Sequence, residues 1–192
     1  MINLFLKARH WQLFLFLFGI PAIFQIVMMS TIFVDVAHDG TPPVSTFNFM
    51  GILAVVMIFF MAIYFAWFWS IAIGLGSKIP ESVVIKTRTF KVFFFIPIVY
   101  ILFFLIVVTT TMSEAEPSPL TFILIVPLHL FCMFCIFHNL YFVAKVIKTV
   151  ELQREALFGD FVGEFFLMWF YPIGVWIIQP KINRMIKQQS GE

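Results

Sequence analysis

The sequence predicts an all-α, polytopic membrane protein, on three observations. Hydrophobic residues fill 62% of its 192 positions and charged ones only 11%, whereas soluble domains carry about 45–50% and 25%. Four apolar runs are each long enough to cross a hydrocarbon core of about 30 Å, which takes roughly 20 helical residues. All 12 Lys and Arg fall before the first run, between the second and third, or after the fourth, which puts them on one side of a four-span topology.

The first run, Trp11 to Val34, follows Lys7 and Arg9, the charge pattern of a signal peptide. It is longer than an h-region of about 7–15 residues and no small-x-small site closes it, so it reads as an uncleaved first span. Asn48 to Gly74, Val92 to Met112 and Leu120 to Ala144 are the second, third and fourth. Nothing alternates with period two, and backbone polar groups in lipid must bond within their own segment, so these are helices and not barrel strands.

Orientation follows from the cations. Lys7 and Arg9 precede the first span, Lys78, Lys86, Arg88 and Lys91 separate the second from the third, and the remaining six follow the fourth. The opposite connections hold only acids, Asp35 with Asp39 and Glu114 with Glu116. The prediction is that both termini are cytoplasmic. Trp11, Trp67, Trp69, Trp169 and Trp176 lie toward the same side, where an indole suits the headgroup layer.

Past the fourth span, Val143, Val146, Ile147, Val150 and Leu157 recur near helical spacing, with Lys148, Glu151, Arg154 and Glu155 opposite. Residues 145–158 therefore read as an amphipathic helix on the membrane or against a partner, or as the plain continuation of the span into water. A fifth apolar segment, Phe161 to Ile178, holds Glu164, Pro172 and Gly174; as a fifth span it would leave Lys181, Arg184 and Lys187 alone on the far side. It is predicted to be interfacial or re-entrant, entered by Gly159 as a helix stop and Asp160 as an N-cap, with residues 179–192 as a basic tail. Glu164 there has two readings, a functional carboxylate or a charge favoured by the positive end of that helix. Pro21, Pro97 and Pro172 each follow a Phe-rich cluster at spacings of about 75 residues, either a parallel internal repeat or coincidence in a chain with 28 phenylalanines.

Candidate chemistry is sparse. His129, Cys132, Cys135 and His138 stand three residues apart in the fourth span, and imidazole and thiolate are ligands for zinc, copper and haem iron. A three-residue step turns a helix by 300°, so the outer pair lies on opposite faces, about 13 Å apart along the axis. Neighbours could share an ion; all four could not. Cys132 and Cys135 are also a bare CxxC pair, the element of thiol exchange, but no second pair exists to relay electrons. The spans contain no carboxylate or cation for ion-coupled transport; their polar groups, Gln25, Tyr64, Ser70, Tyr100, His129, His138 and Asn139, suit interhelical hydrogen bonds. No complete catalytic motif is present, and a net charge of +2 without a basic motif gives no nucleic-acid-binding signature.

The residues Ala144-Lys145, Lys148-Thr149-Val150-Glu151-Leu152-Gln153-Arg154-Glu155, Gly163-Glu164-Phe165-Phe166, Trp169-Phe170 and Pro172-Ile173-Gly174-Val175-Trp176-Ile177-Ile178-Gln179-Pro180-Lys181-Ile182-Asn183 resemble the C-terminal signature of a family of small bacterial integral membrane proteins. The resemblance covers about a fifth of the chain and implies a bacterial inner-membrane location, with no activity to transfer. By subtraction, the sequence predicts a non-enzymatic accessory or assembly subunit, in the bilayer, meeting a membrane protein partner or a second copy through Glu164, Trp169, Pro172, Gly174, Trp176 and Gln179. Two alternatives stand beside it: a haem-, copper- or zinc-binding or redox protein built on the His/Cys ladder, and a carrier for a lipid or neutral small molecule.

Overall fold

The computed structural model describes residues 2–39, 46–111 and 119–190 and is helical throughout, with no strand among the described residues. A short helix α1 (Ile2–Lys7) precedes α2 (His10–Phe14), which runs through a wide π-helical turn at Leu15–Gly19 into α3 (Ile20–Asp39). α4 (Thr46–Trp69) continues through a second π-helical stretch, Ser70–Leu75. α5 (Thr87–Thr111) and α6 (Pro119–Leu152) complete the long helices, and α7 (Phe158–Trp169) and α8 (Tyr171–Ser190) form a hairpin. His10–Val34, Gly51–Lys78, Thr87–Val108 and Ile123–Leu152 are long and apolar enough to cross a membrane. Glu114 and Glu116, and the side chains of Asp35 and Asp39, lie outside the described residues.

Packing is concentrated at the end that carries the cations. There α1, α2, the near halves of α4 and α6, and the hairpin enclose Leu6, Trp67, Ile71, Leu75, Ile147, Ile178 and Ile182, none more than 5% exposed. Only 11% of the first span's apolar window is buried and 22% of the fourth's, and Ile23, Ile26, Val27 and Phe33 stand open along α3. Such surface is stable only when lipid or another protein covers it.

Two of the Phe-cluster prolines do the same structural work. A proline has no N–H and leaves the carbonyl four residues earlier without its helical donor. For Pro21 that carbonyl is Leu17, and the Tyr171 hydroxyl donates to it at 3.3 Å. For Pro97 it is Phe93, and the Asn139 amide donates to it at 3.0 Å. Each repair comes from a distant helix, as membrane helices tolerate proline when a neighbour satisfies the freed group. Pro172 differs, since it opens α8 and interrupts no helix.

Several sequence expectations need correction. The stretch 145–158 is helix only to Leu152; its apolar residues Val143, Val146, Ile147 and Val150 are buried inside the protein, while Leu157 is exposed. α6 stops at Gln153, which takes the left-handed conformation at φ 51° and donates its side-chain amide to the Val150 carbonyl at 2.7 Å. Gly159 is thus no helix stop but lies within α7, and Asp160 is not the N-cap but sits three residues after it, accepting from the Leu157 N–H at 2.9 Å. That bond, together with Arg154 at 3.1 Å, holds the Asp160 carboxyl below its ordinary range. The fifth segment is not one helix, because the chain breaks at Phe170, and 179–190 is the body of α8 and no tail. Trp67 belongs to the core and not to the headgroup layer.

Candidate functional site

The α7–α8 hairpin is built on aromatic contacts. α7 climbs antiparallel to α6, with Phe161 against Tyr141 at 5.0 Å between ring centroids and Trp169 against Phe137 at 4.8 Å. The chain turns at Phe170, and Tyr171 seats against Phe60 at 5.6 Å and Tyr64 at 5.8 Å. Tyr64 lies 14 residues before Lys78 on α4, about 20 Å at 1.5 Å per residue. α8 then descends past Phe14 and His10, with Trp176 at 5.4 and 4.7 Å from their rings. Both ends of the hairpin therefore lie at the cation-bearing end while its apex is level with the middle of the Gly51–Lys78 span, the form of a re-entrant segment.

Two polar clusters fix this hairpin. The first is a closed ring of four ion pairs joining α6, α7 and α8. Lys148 meets Glu151 at 2.8 Å and Glu164 at 3.4 Å, and Lys181 meets Glu151 at 2.6 Å and Glu164 at 2.7 Å. Two carboxylates and two ammonium groups alternate, so no charge in it stands uncompensated. This corrects the dipole reading of Glu164, which is the seventh residue of α7, beyond the first turn where the helix dipole acts. Glu164→Gln leaves both ammonium groups short of a carboxylate, so a loss of about 1–3 kcal/mol is expected. Glu155→Gln, at a solvent-exposed pair with Lys145, is the control and should leave the transition unmoved. Equal unfolding curves for the two variants in detergent would show that the ring holds nothing together.

The second cluster centres on Gln179, which is fully buried. Its oxygen accepts from the Trp67 indole N–H at 2.9 Å. Its nitrogen faces the carbonyls of Phe5 at 2.9 Å, Leu6 at 3.3 Å and Ala8 at 3.0 Å, and the Asn183 side-chain oxygen at 3.1 Å. Asn183 donates in turn to the Ala8 carbonyl at 3.1 Å. α1 ends at Lys7, so its last carbonyls lack donors four residues on; the Ala8 N–H reaches Phe5 at 3.3 Å, and the amides of α8 serve Phe5, Leu6 and the following Ala8.

Of the six residues singled out for a partner, Glu164, Gly174 and Gln179 are buried within the protein and do not face outward. They hold the hairpin, and the exposed members are Trp169 and Trp176, with Pro172 half-buried. The outer surface is extended by Phe166, Phe170, Ile173 and Ile177, each at least 48% exposed. Sequence reasoning missed these, although spacings of three and four along both helices place them beside the tryptophans.

The His/Cys ladder is divided by the structure. His129 shares a 3.0 Å hydrogen bond with the Tyr100 hydroxyl across α5 and α6. Cys132 and Cys135 are buried free thiols, and His138 lies tilted against Phe93 at 4.5 Å between ring centroids. Among the described residues no three His, Cys, Asp or Glu side chains are grouped to hold a metal ion. No family model, curated protein or solved structure matches the chain.

Proposed function

We propose that this chain is a non-catalytic subunit of a bacterial inner-membrane assembly, with both termini cytoplasmic, that docks a membrane protein partner on the outer face of its re-entrant hairpin. The observation that carries the reading is the contrast between the hairpin's two faces. The inner face is locked by the ion-pair ring and by Gln179. The outer face presents Phe166, Trp169, Phe170, Ile173, Trp176 and Ile177 from a backbone that cannot yield. Rigid aromatic side chains lose little conformational freedom on association and dominate the energetics of protein contacts. The cations' distribution supports the orientation, and the C-terminal resemblance supports the bacterial membrane.

A photo-crosslinking side chain placed at Trp169 in cells should yield one discrete protein adduct. With the crosslinker kept at that position, Ile173→Ala with Trp176→Ala should lower its recovery about tenfold with expression unchanged. Adducts to lipid alone, at this site and at Trp176, would sink the reading.

A further inference from the structure

We infer that the lateral groove between α4 and α5 is a binding site for one anionic phospholipid, its acyl chain in the groove and its phosphate on Lys91 and Arg88. The groove has a volume of about 410 Å³ and is lined by Ile2, Met61, Phe65, Trp69, Phe94 and Phe95, among others. It exists because α4 and its π-helical continuation offer Ala62, Ala66 and Ser70 on one stripe, where larger side chains would close it. Its volume lies in the range of small-molecule sites, about 300–1,000 Å³, and its walls are almost wholly apolar. A molecule seated there is in contact with the bilayer along the groove's open side.

Charge complementarity selects the occupant. At 100° per residue, Lys91 falls on the same arc of α5 as Phe95 and Ile98, about one turn toward the cation-bearing end, where it borders the adjoining cavity of Glu81, Thr87 and Phe142, and Arg88 flanks it. Both are exposed, and neither makes an ion pair among the described residues. The acids on the other side of the molecule, Glu151, Glu155, Asp160 and Glu164, are all taken by Lys145, Lys148, Arg154 and Lys181. Around the hairpin those four acids answer four of six cations, whereas the stretch leading into α5 holds Glu81 as the single acid among Lys78, Lys86, Arg88 and Lys91. Basic residues at the base of a gap between membrane helices suit a phospholipid phosphate, each worth about a few-fold in affinity near the surface. The Trp69 indole N–H, on the groove wall, has no acceptor among the described residues and can donate to the ester or phosphate oxygens. A neutral acyl compound would use the groove and leave all three donors idle.

The test is native mass spectrometry of the full-length protein titrated with phosphatidylglycerol and, separately, phosphatidylcholine of the same chains. One phosphatidylglycerol per chain is expected, retained about tenfold better than phosphatidylcholine. Arg88→Gln with Lys91→Gln, both exposed and so harmless to folding, should bring the ratio to about one, whereas Lys86→Gln, ahead of α5, should change it less than twofold. Ala66→Leu should abolish retention of both lipids, and Ala62→Leu is the second groove-filling variant should the first fail to fold. Equal retention of the two lipids, a ratio that survives the Arg88 and Lys91 changes, or retention that survives filling of the groove would each overturn the site. A second protein chain in place of the lipid, lost on filling the groove, would overturn it as well.

Discussion

Replacing Gln179 by leucine is expected to detach the N-terminal helix and to cost about 4 kcal/mol. Leucine fills nearly the same volume, so the loss is of hydrogen bonds and not of packing. The buried indole N–H of Trp67 and the Leu6 carbonyl lose their partner together, while the Phe5 carbonyl keeps the Ala8 N–H at 3.3 Å. Each buried polar group left unsatisfied costs about 1–3 kcal/mol, and Asn183 still serves Ala8, so two such penalties make up the sum. Glutamate at this position should do worse than leucine, since its carboxylate would face carbonyl oxygens with no hydrogen to offer. The expected readouts are a lowered unfolding midpoint in detergent and much faster trypsin cleavage after Lys7 and Arg9, with cleavage elsewhere little changed. Unaltered cleavage after those two residues would show that α1 is held by its apolar contacts alone, such as Ile2 and Leu6 against Gly74.

What the sequence made legible, and what it hid, divides along the range of the interactions. The four long helices follow from run length and composition, because in lipid each must satisfy its own backbone. The ends of those helices were misjudged wherever the chain left the apolar pattern. α6 runs to Leu152 because Val146, Ile147 and Val150 are covered by the hairpin, a partner the pattern cannot name. α1 was missed because six residues carry too little periodicity, and its stability is lent by Gln179 from 171 to 174 positions away. The same holds for the prolines. Pro21 and Pro97 announce in the sequence that Leu17 and Phe93 carbonyls need donors, yet nothing local says that Tyr171 and Asn139 provide them. Glu164 was placed by its own helix alone, whereas Lys181 reaches it from the next. The aromatic segment is a single apolar run in the sequence, and its interruption at Phe170 turns the same residues into two helices with an inward and an outward face.

Gly174→Ala is expected to be the most damaging single methyl group in the chain. A Cβ at this position would coincide with the Leu167 carbonyl oxygen and crowd its carbonyl carbon, both backbone atoms of the facing helix. Side chains can rotate away from such a clash, but a helix backbone can yield only by moving the whole element. α8 would have to withdraw from α7 just below the turn at Phe170, and every contact that depends on their spacing would follow. Lys181 would leave Glu164, and Gln179 would leave the end of α1. Overpacking of this kind costs about 3 kcal/mol or more, which the gain of about 1 kcal/mol from replacing glycine inside a helix cannot offset. For a chain of this size that loss corresponds to a melting temperature about 6–12 °C lower. Gly163→Ala is the control, since a Cβ there meets nothing within 4 Å; in the middle of α7 it should be neutral or raise stability by up to about 1 kcal/mol. The two alanines differ only in what stands opposite them. Equal melting temperatures would therefore show that α7 and α8 are not in close backbone contact, and the rigidity attributed to the hairpin would go with it.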